Sequence, residues 1–171
     1  MQNNIDMSEN TADKNSIAVI AIDDTENSLH AFQWYIKYFH RPNYTVALAH
    51  VYTLPEKTSY GTGRHNTVLE TMHCKQHDED TKKVLEEHSE LVKKFQNICA
   101  ESNVTTIEIC MERRGSIGET LCEIVKEHQA CCIIMGQRGC SMIKRAIHGC
   151  VSEYVTKHAK NTAVIVVKPN E

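Results

Sequence analysis

The segment ACCIIMGQRGCSMIKRAIHGCVSEYVTKHAKNTAVIVVKP spans residues 130–169 and reads as strand, loop, helix and strand. Its two ends, ACCIIMG (130–136) and TAVIVVKP (162–169), are short continuous apolar runs. Such runs suit strands buried on both faces, and Pro169 stops the second one. GCVSEYVTKHA (149–159) between them reads as a helix. The loop carries Gly136 and Gly139, and Gly149 opens the helix.

Upstream the alternation repeats. SIAVIAID (16–23) is a strand, and DTENSLHAFQWYIKYF (24–39) places Leu29, Phe32, Ile36 and Phe39 at helical spacing. Thr25 or Asn27 suits its cap. YTVALAHV (44–51) is a second strand, and residues 52–66 read as a long loop broken by Pro55, Gly61 and Gly63. A helix is expected from about Asp78 to Ser102, with Val84, Leu85, Leu91, Val92, Phe95, Ile98 and Cys99 as its apolar stripe. VTTIEICM (104–111) is a strand, and GSIGETLCEIVKEH (115–128) a helix whose Ser116 and Glu119 fit a capping box. Five apolar strands alternating with helices predict an α/β fold: a three-layer α/β/α sandwich around a five-stranded parallel sheet. A common order for five such strands is 3-2-1-4-5.

Residues 16–171 have the length of one domain, and the polar residues 1–15 read as a disordered tail. The net charge of −3 and pI near 6.4 argue against a dedicated nucleic-acid binder. No apolar run is long enough for a membrane span, and the first residues lack a signal pattern, so a cytoplasmic protein is expected. The eight cysteines are then reduced thiols, and none forms a CxxC pair.

Open parallel sheets bind ligands beyond the carboxyl ends of their strands, where the strand order reverses. In the order 3-2-1-4-5 that place lies between the first and fourth strands, which end at Asp23 and Gly136. The glycines of the loop allow positive φ and leave amides uncovered, an arrangement that can form an anion nest. The head of the next helix adds amides without intrahelical partners. Arg138, Lys144, Arg145 and His148 lie in between, with no acidic residue from Gly136 through Val151. Phosphate suits this chemistry. The alternative is a tight turn with solvated basic side chains. The loop is neither a P-loop nor a GxGxxG dinucleotide fingerprint.

Gly136-x2-Gly139-x9-Gly149 resembles the G-2x-G-9x-G-[S/T] nucleotide motif of the universal stress protein family. VIAIDDTENSLHAFQW resembles that family's first strand and helix, VALAHV its second strand and TAVIVVKP its last. The resemblance covers roughly residues 16–169 and implies binding of ATP or a related adenine nucleotide, alone or with Mg²⁺, in a stress response. It implies that Ala21, Ile22 and Asp23 meet the nucleotide at the end of the first strand, with Asp23 near the ribose or adenine. The alternative for Asp23 is a helix cap. Val51 matches a backbone position at the adenine, and Met135 and Gly136 the strand end under the sugar. Gly139, Gly149, Cys150, Val151 and Ser152 match phosphate-facing positions. Arg138 joins them by charge alone.

Cys150 departs from the motif, which has Ser or Thr there. A thiol is a weaker donor, and losing one neutral hydrogen bond weakens binding about two- to tenfold. Efficient turnover is not expected, because the loop offers no acidic Mg²⁺ ligand and no general base; slow hydrolysis fits the fold. No catalytic residue and no metal ligand is assigned. His73 and His77 are too few for a metal site, and His50 reads as a core histidine. Two other readings stand: a dimeric interaction protein that has lost nucleotide binding, and a thiol redox sensor through Cys150 and Cys140. The last strand (162–168), apolar on both faces, would lie at a sheet edge. The family commonly dimerises through this strand, which implies a homodimer.

Overall fold

The computed structural model of the chain describes residues 16–55, 67–137 and 150–169, the side chains of 67–74 excepted. The expected tail at 1–15 lies outside the described residues. The strands are β1 (Ser16–Ala21), β2 (Tyr44–Tyr52), β3 (Thr106–Glu112), β4 (Cys132–Gly136) and β5 (Ala163–Val167). The helices are α1 (Glu26–Tyr38), α2 (Thr67–Glu101), α3 (Ile117–Glu127) and α4 (Val151–His158). All four strand pairings are parallel, in the order β3-β2-β1-β4-β5. This is the expected order, with β1 and β4 side by side.

The apolar strands are covered on both faces. Ala18, Ile20, Val46, Leu48 and Ile134 pack with Phe32 and Tyr35 of α1 and Val92, Phe95 and Cys99 of α2. Val19, Ala47, Ala49, Ile133 and Met135 pack on the other face with Leu121, Ile124 and Val125 of α3 and Val155 of α4. Alternate strand residues therefore serve opposite layers, which is the period-2 geometry of a pleated strand. Phe32 and Phe95 meet edge to face at 5.1 Å and lock α1 to α2.

One helix differs from expectation. α2 begins at Thr67, eleven positions before Asp78. Its first turns place Val68, Leu69 and Met72 at helical spacing, and no Gly or Pro interrupts the helix. Leu85, expected in the stripe, is exposed. α1 is capped by Thr25, whose side chain accepts from the Ser28 amide, and α3 carries the full Ser116–Glu119 capping box. Gly115 just before that box has φ +68°, and a Cβ there would strike the Glu119 carboxylate. Cys150 stands at the N-cap of α4, and its side chain makes no capping hydrogen bond to a helix amide. None of the described cysteines is in a disulfide. No helix among the described residues is long and apolar enough to cross a membrane.

Phe95→Ala should cost about 3–5 kcal/mol, read as a lower urea midpoint, because Phe95 is buried at the α1–α2 contact. Cys150→Ser supplies the missing cap acceptor and should add about 0.5–2 kcal/mol. Thermal melting without any nucleotide checks it, with a rise of a few degrees expected.

Candidate functional site

The carboxyl ends of β1, β2 and β4 form one floor. The β1–β4 register pairs Ile20 with Ile134, so continuing it by one and by two residues sets Ala21 beside Met135 and Ile22 beside Gly136. The β1–β2 register pairs Ala21 with Ala49, which brings Asp23 level with Val51. Ala21, Val51, Met135 and Val151 all belong to, or pack against, the apolar cluster on the α3–α4 side. Ile22 faces the other way, into the core under α1 and α2, while its amide donates to Ala49 O at 2.9 Å.

Asp23 is held where β1 turns into α1. Its amide donates to Ser28 Oγ at 3.0 Å. Its Oδ1 accepts from the Thr25 amide at 2.9 Å and from the Thr25 hydroxyl. Thr25 in turn accepts from the Ser28 amide at 3.3 Å. Thr25 is thus the cap of α1, and Asp23, which is not itself the cap, fixes Thr25. His50, read as a core histidine, is half-buried on β2. Burial pushes its pKa below the ordinary value and His88 adds to this, while Asp23 and Asp24 act against both.

Gly136 serves close approach. A Cβ there would lie 2.3 Å from Asn27 O and 2.6 Å from its carbonyl carbon. Among the described glycines only Gly115 has positive φ, so the freedom expected of Gly136 is not what the fold requires of it. β4 ends directly against the first turn of α1, and Gln137 continues by donating to Val167 O at 2.8 Å.

Cys150, Val151 and Ser152 form the head of α4. The Cys150 carbonyl accepts from the Tyr154 amide at 2.9 Å, and its thiol lies 3.1 Å from Ser152 Oγ. The ring of Tyr154 rests over Gly118 of α3, where a Cβ would be 2.7 Å from it. This contact and buried Val155 hold α4 on α3. Arg138, Gly139 and Gly149, with Cys140, lie outside the described residues.

The structure therefore brings Ala21, Asp23, Val51, Met135 and Gly136 to one end of the sheet, and Val151 carries the head of α4 onto the same apolar layer. Ile22 is on the opposite face. Two features escaped the sequence. Ser28 holds the Asp23 amide, a role that a Ser inside a helix does not advertise. His50 also meets His88 of α2, thirty-eight residues away.

The sequence profile of the universal stress protein family matches residues 15–168. No match was found among curated protein sequences. Among solved structures, the hypothetical protein MJ0577 superposes with a TM-score of 0.68 at 20% identity, covering 92% of this chain and 98% of its own. A universal stress protein in complex with cAMP gives 0.62 at 20% identity, over 89% of this chain and 96% of that one. A family member from Arabidopsis thaliana with AMP bound gives 0.60 at 18% identity, over 91% and 92%. At these identities the structural likeness concerns the fold. The profile spans most of the chain, and the chain belongs to the universal stress protein family.

Proposed function

We propose that the chain binds ATP or a related adenine nucleotide at the carboxyl ends of β1, β2 and β4, with phosphates toward the head of α4. The observation that carries this reading is the strand order, which sets Asp23, Val51 and Gly136 together where the order reverses. The relatives with AMP and cAMP support it. Ala21, Val51 and Met135 offer a partly buried apolar surface suited to a flat base and a sugar. The Asp23 carboxylate is an acceptor of the kind that ribose hydroxyls require. The first amides of α4, at Val151 and Ser152, suit phosphate oxygens, with Gly139, Gly149 and Arg138 completing the cradle. Mg²⁺ would reach this site on the phosphates. No acidic residue lies between Gly136 and Val151 to hold it or to orient water, so turnover is slow or absent.

Residues 16–171 act as one cytoplasmic stress-response domain in this reading, paired with a second copy through β5. Ala163 N donates to Cys131 O, and Val167 O accepts from Gln137 N. Odd-numbered residues therefore turn their backbone groups to β4, and Val164 and Val166 turn theirs to the open edge. That edge is half-exposed and apolar, with Trp34 and exposed Tyr38 of α1 beside it. A second copy of the same strand would cover it.

The interaction-protein reading draws on Cys150, whose thiol leaves the motif without its hydroxyl donor. Calorimetric titration with ATP and AMP separates the two. Binding of both, with ATP tighter, is expected, and no heat at millimolar ATP favours the interaction protein. Cys150→Ser should tighten ATP about two- to tenfold. Asp23→Asn keeps an oxygen for Thr25 but removes the charge, and should weaken ATP and AMP alike by about fivefold. For the dimer, Val166→Pro removes an outward N–H while leaving the β4 ladder intact. Sedimentation should show a dimer for the native chain and a monomer for the variant; a native monomer would refute the pairing.

A further inference from the structure

On the face opposite the apolar floor, three elements bring four metal-ligating side chains together. Glu108 and Cys110 are two apart on β3 and share a face of the sheet with Leu48 and His50, their register partners on β2. His88 comes down from the middle of α2. One ligand atom each from His88, Glu108 and Cys110 lies within 4.8 Å of the others. His88 Nε2 is 3.5 Å from Glu108 Oε1, and Cys110 Sγ is 3.0 Å from the same oxygen.

We propose that His88 Nε2, the Glu108 carboxylate and Cys110 Sγ form a binding site for a zinc-class divalent transition metal, with His50 as the residue that orients His88. Mixed nitrogen, oxygen and sulfur donors suit Zn²⁺ or Co²⁺ and not Mg²⁺ or Ca²⁺. Bonds of about 2.0–2.3 Å place neighbouring tetrahedral ligands about 3.3–3.7 Å apart. The His88–Glu108 separation falls in that range, and the Cys110–Glu108 separation needs only a small outward swing of the exposed glutamate.

The surroundings fit. His50 and His88 face each other Nδ1 to Nδ1, with ring centroids 4.8 Å apart and planes within 8°. Close nitrogens in nearly parallel rings mean an in-plane, edge-to-edge hydrogen bond rather than a face-to-face stack. With the His88 proton on Nδ1 and donated to His50, Nε2 presents its lone pair toward Glu108. A partner that fixes the tautomer of a ligating histidine is the usual outer shell of a metal site. Tyr52 closes one side, its ring 5.6 Å from that of His88. His88 is buried while Glu108 and Cys110 are exposed, so an ion enters from solvent without opening the core. On binding, the Cys110 thiol gives its proton to solvent and the thiolate takes the metal. Three protein ligands leave the fourth tetrahedral position to water. The ion would tie the middle of α2 to the edge strand β3.

Titration of the full metal-free chain with Co²⁺ tests this directly. One equivalent should give strong visible bands and a thiolate-to-cobalt charge-transfer band in the near ultraviolet, both abolished by added Zn²⁺. Cys110→Ser, an exposed change checked for folding by circular dichroism, should lose the charge-transfer band, and Cys150→Ser should keep it. His50→Phe should keep the band but weaken binding about tenfold. No charge-transfer band in the native chain, or an undiminished one in Cys110→Ser, overturns the site. Unchanged affinity in His50→Phe overturns the orienting role.

Discussion

The carboxyl end of β4 lies so close to the first turn of α1 that no side chain fits between them. The 2.3 Å that would separate a Cβ of residue 136 from the Asn27 carbonyl excludes even alanine without a backbone shift. That closeness seats α1 across β4 as well as over its own strand. It draws β4 beside β1 and so creates the place where the strand order turns back. The cap at Thr25 and the anchoring of Asp23 lie immediately before this contact, and β5 pairs with the far side of β4. Packing at this point and the geometry of the proposed nucleotide site are one constraint.

The sheet was legible because its strands are apolar on both faces, and the helices that cover it show their buried stripes plainly. Ser116 and Glu119 announced the start of α3 three residues apart. The front half of α2 was not legible: Val68, Leu69 and Met72 are followed by a run of charged and polar residues with no apolar period, and propensity alone is a weak signal. Gly136 was legible as a special position but not for the right physical reason, since close approach depends on the partner α1. His50, His88, Glu108 and Cys110 carry no ligand spacing along the chain, and only the register of β2 with β3 under α2 assembles them. The floor residues Ala21, Val51 and Met135 were found through resemblance; by themselves they are ordinary core residues.

Asp23 and Cys150 show the two ways in which a site residue relates to the scaffold. Asp23 is tied into a helix start, so its orientation comes with the fold and any change there touches stability as well as binding. Cys150 contributes a backbone conformation and a carbonyl to α4 but no side-chain cap. The helix is held instead from behind, by Tyr154 on Gly118 and by Val155.

α2 is far longer than the sheet it covers. Its 35 residues extend about 52 Å, whereas the nine residues of β2, the longest strand, span about 30 Å. Among its described side chains the buried ones are His88, Val92, Phe95 and Cys99, all in the second half. In the first half, His77 Nε2 lies 3.2 Å from Pro55 O, just past the end of β2. His88 then meets His50 of β2 and Glu108 of β3, so a partner that shifts the first half of α2 pulls on polar contacts before it reaches the apolar ones.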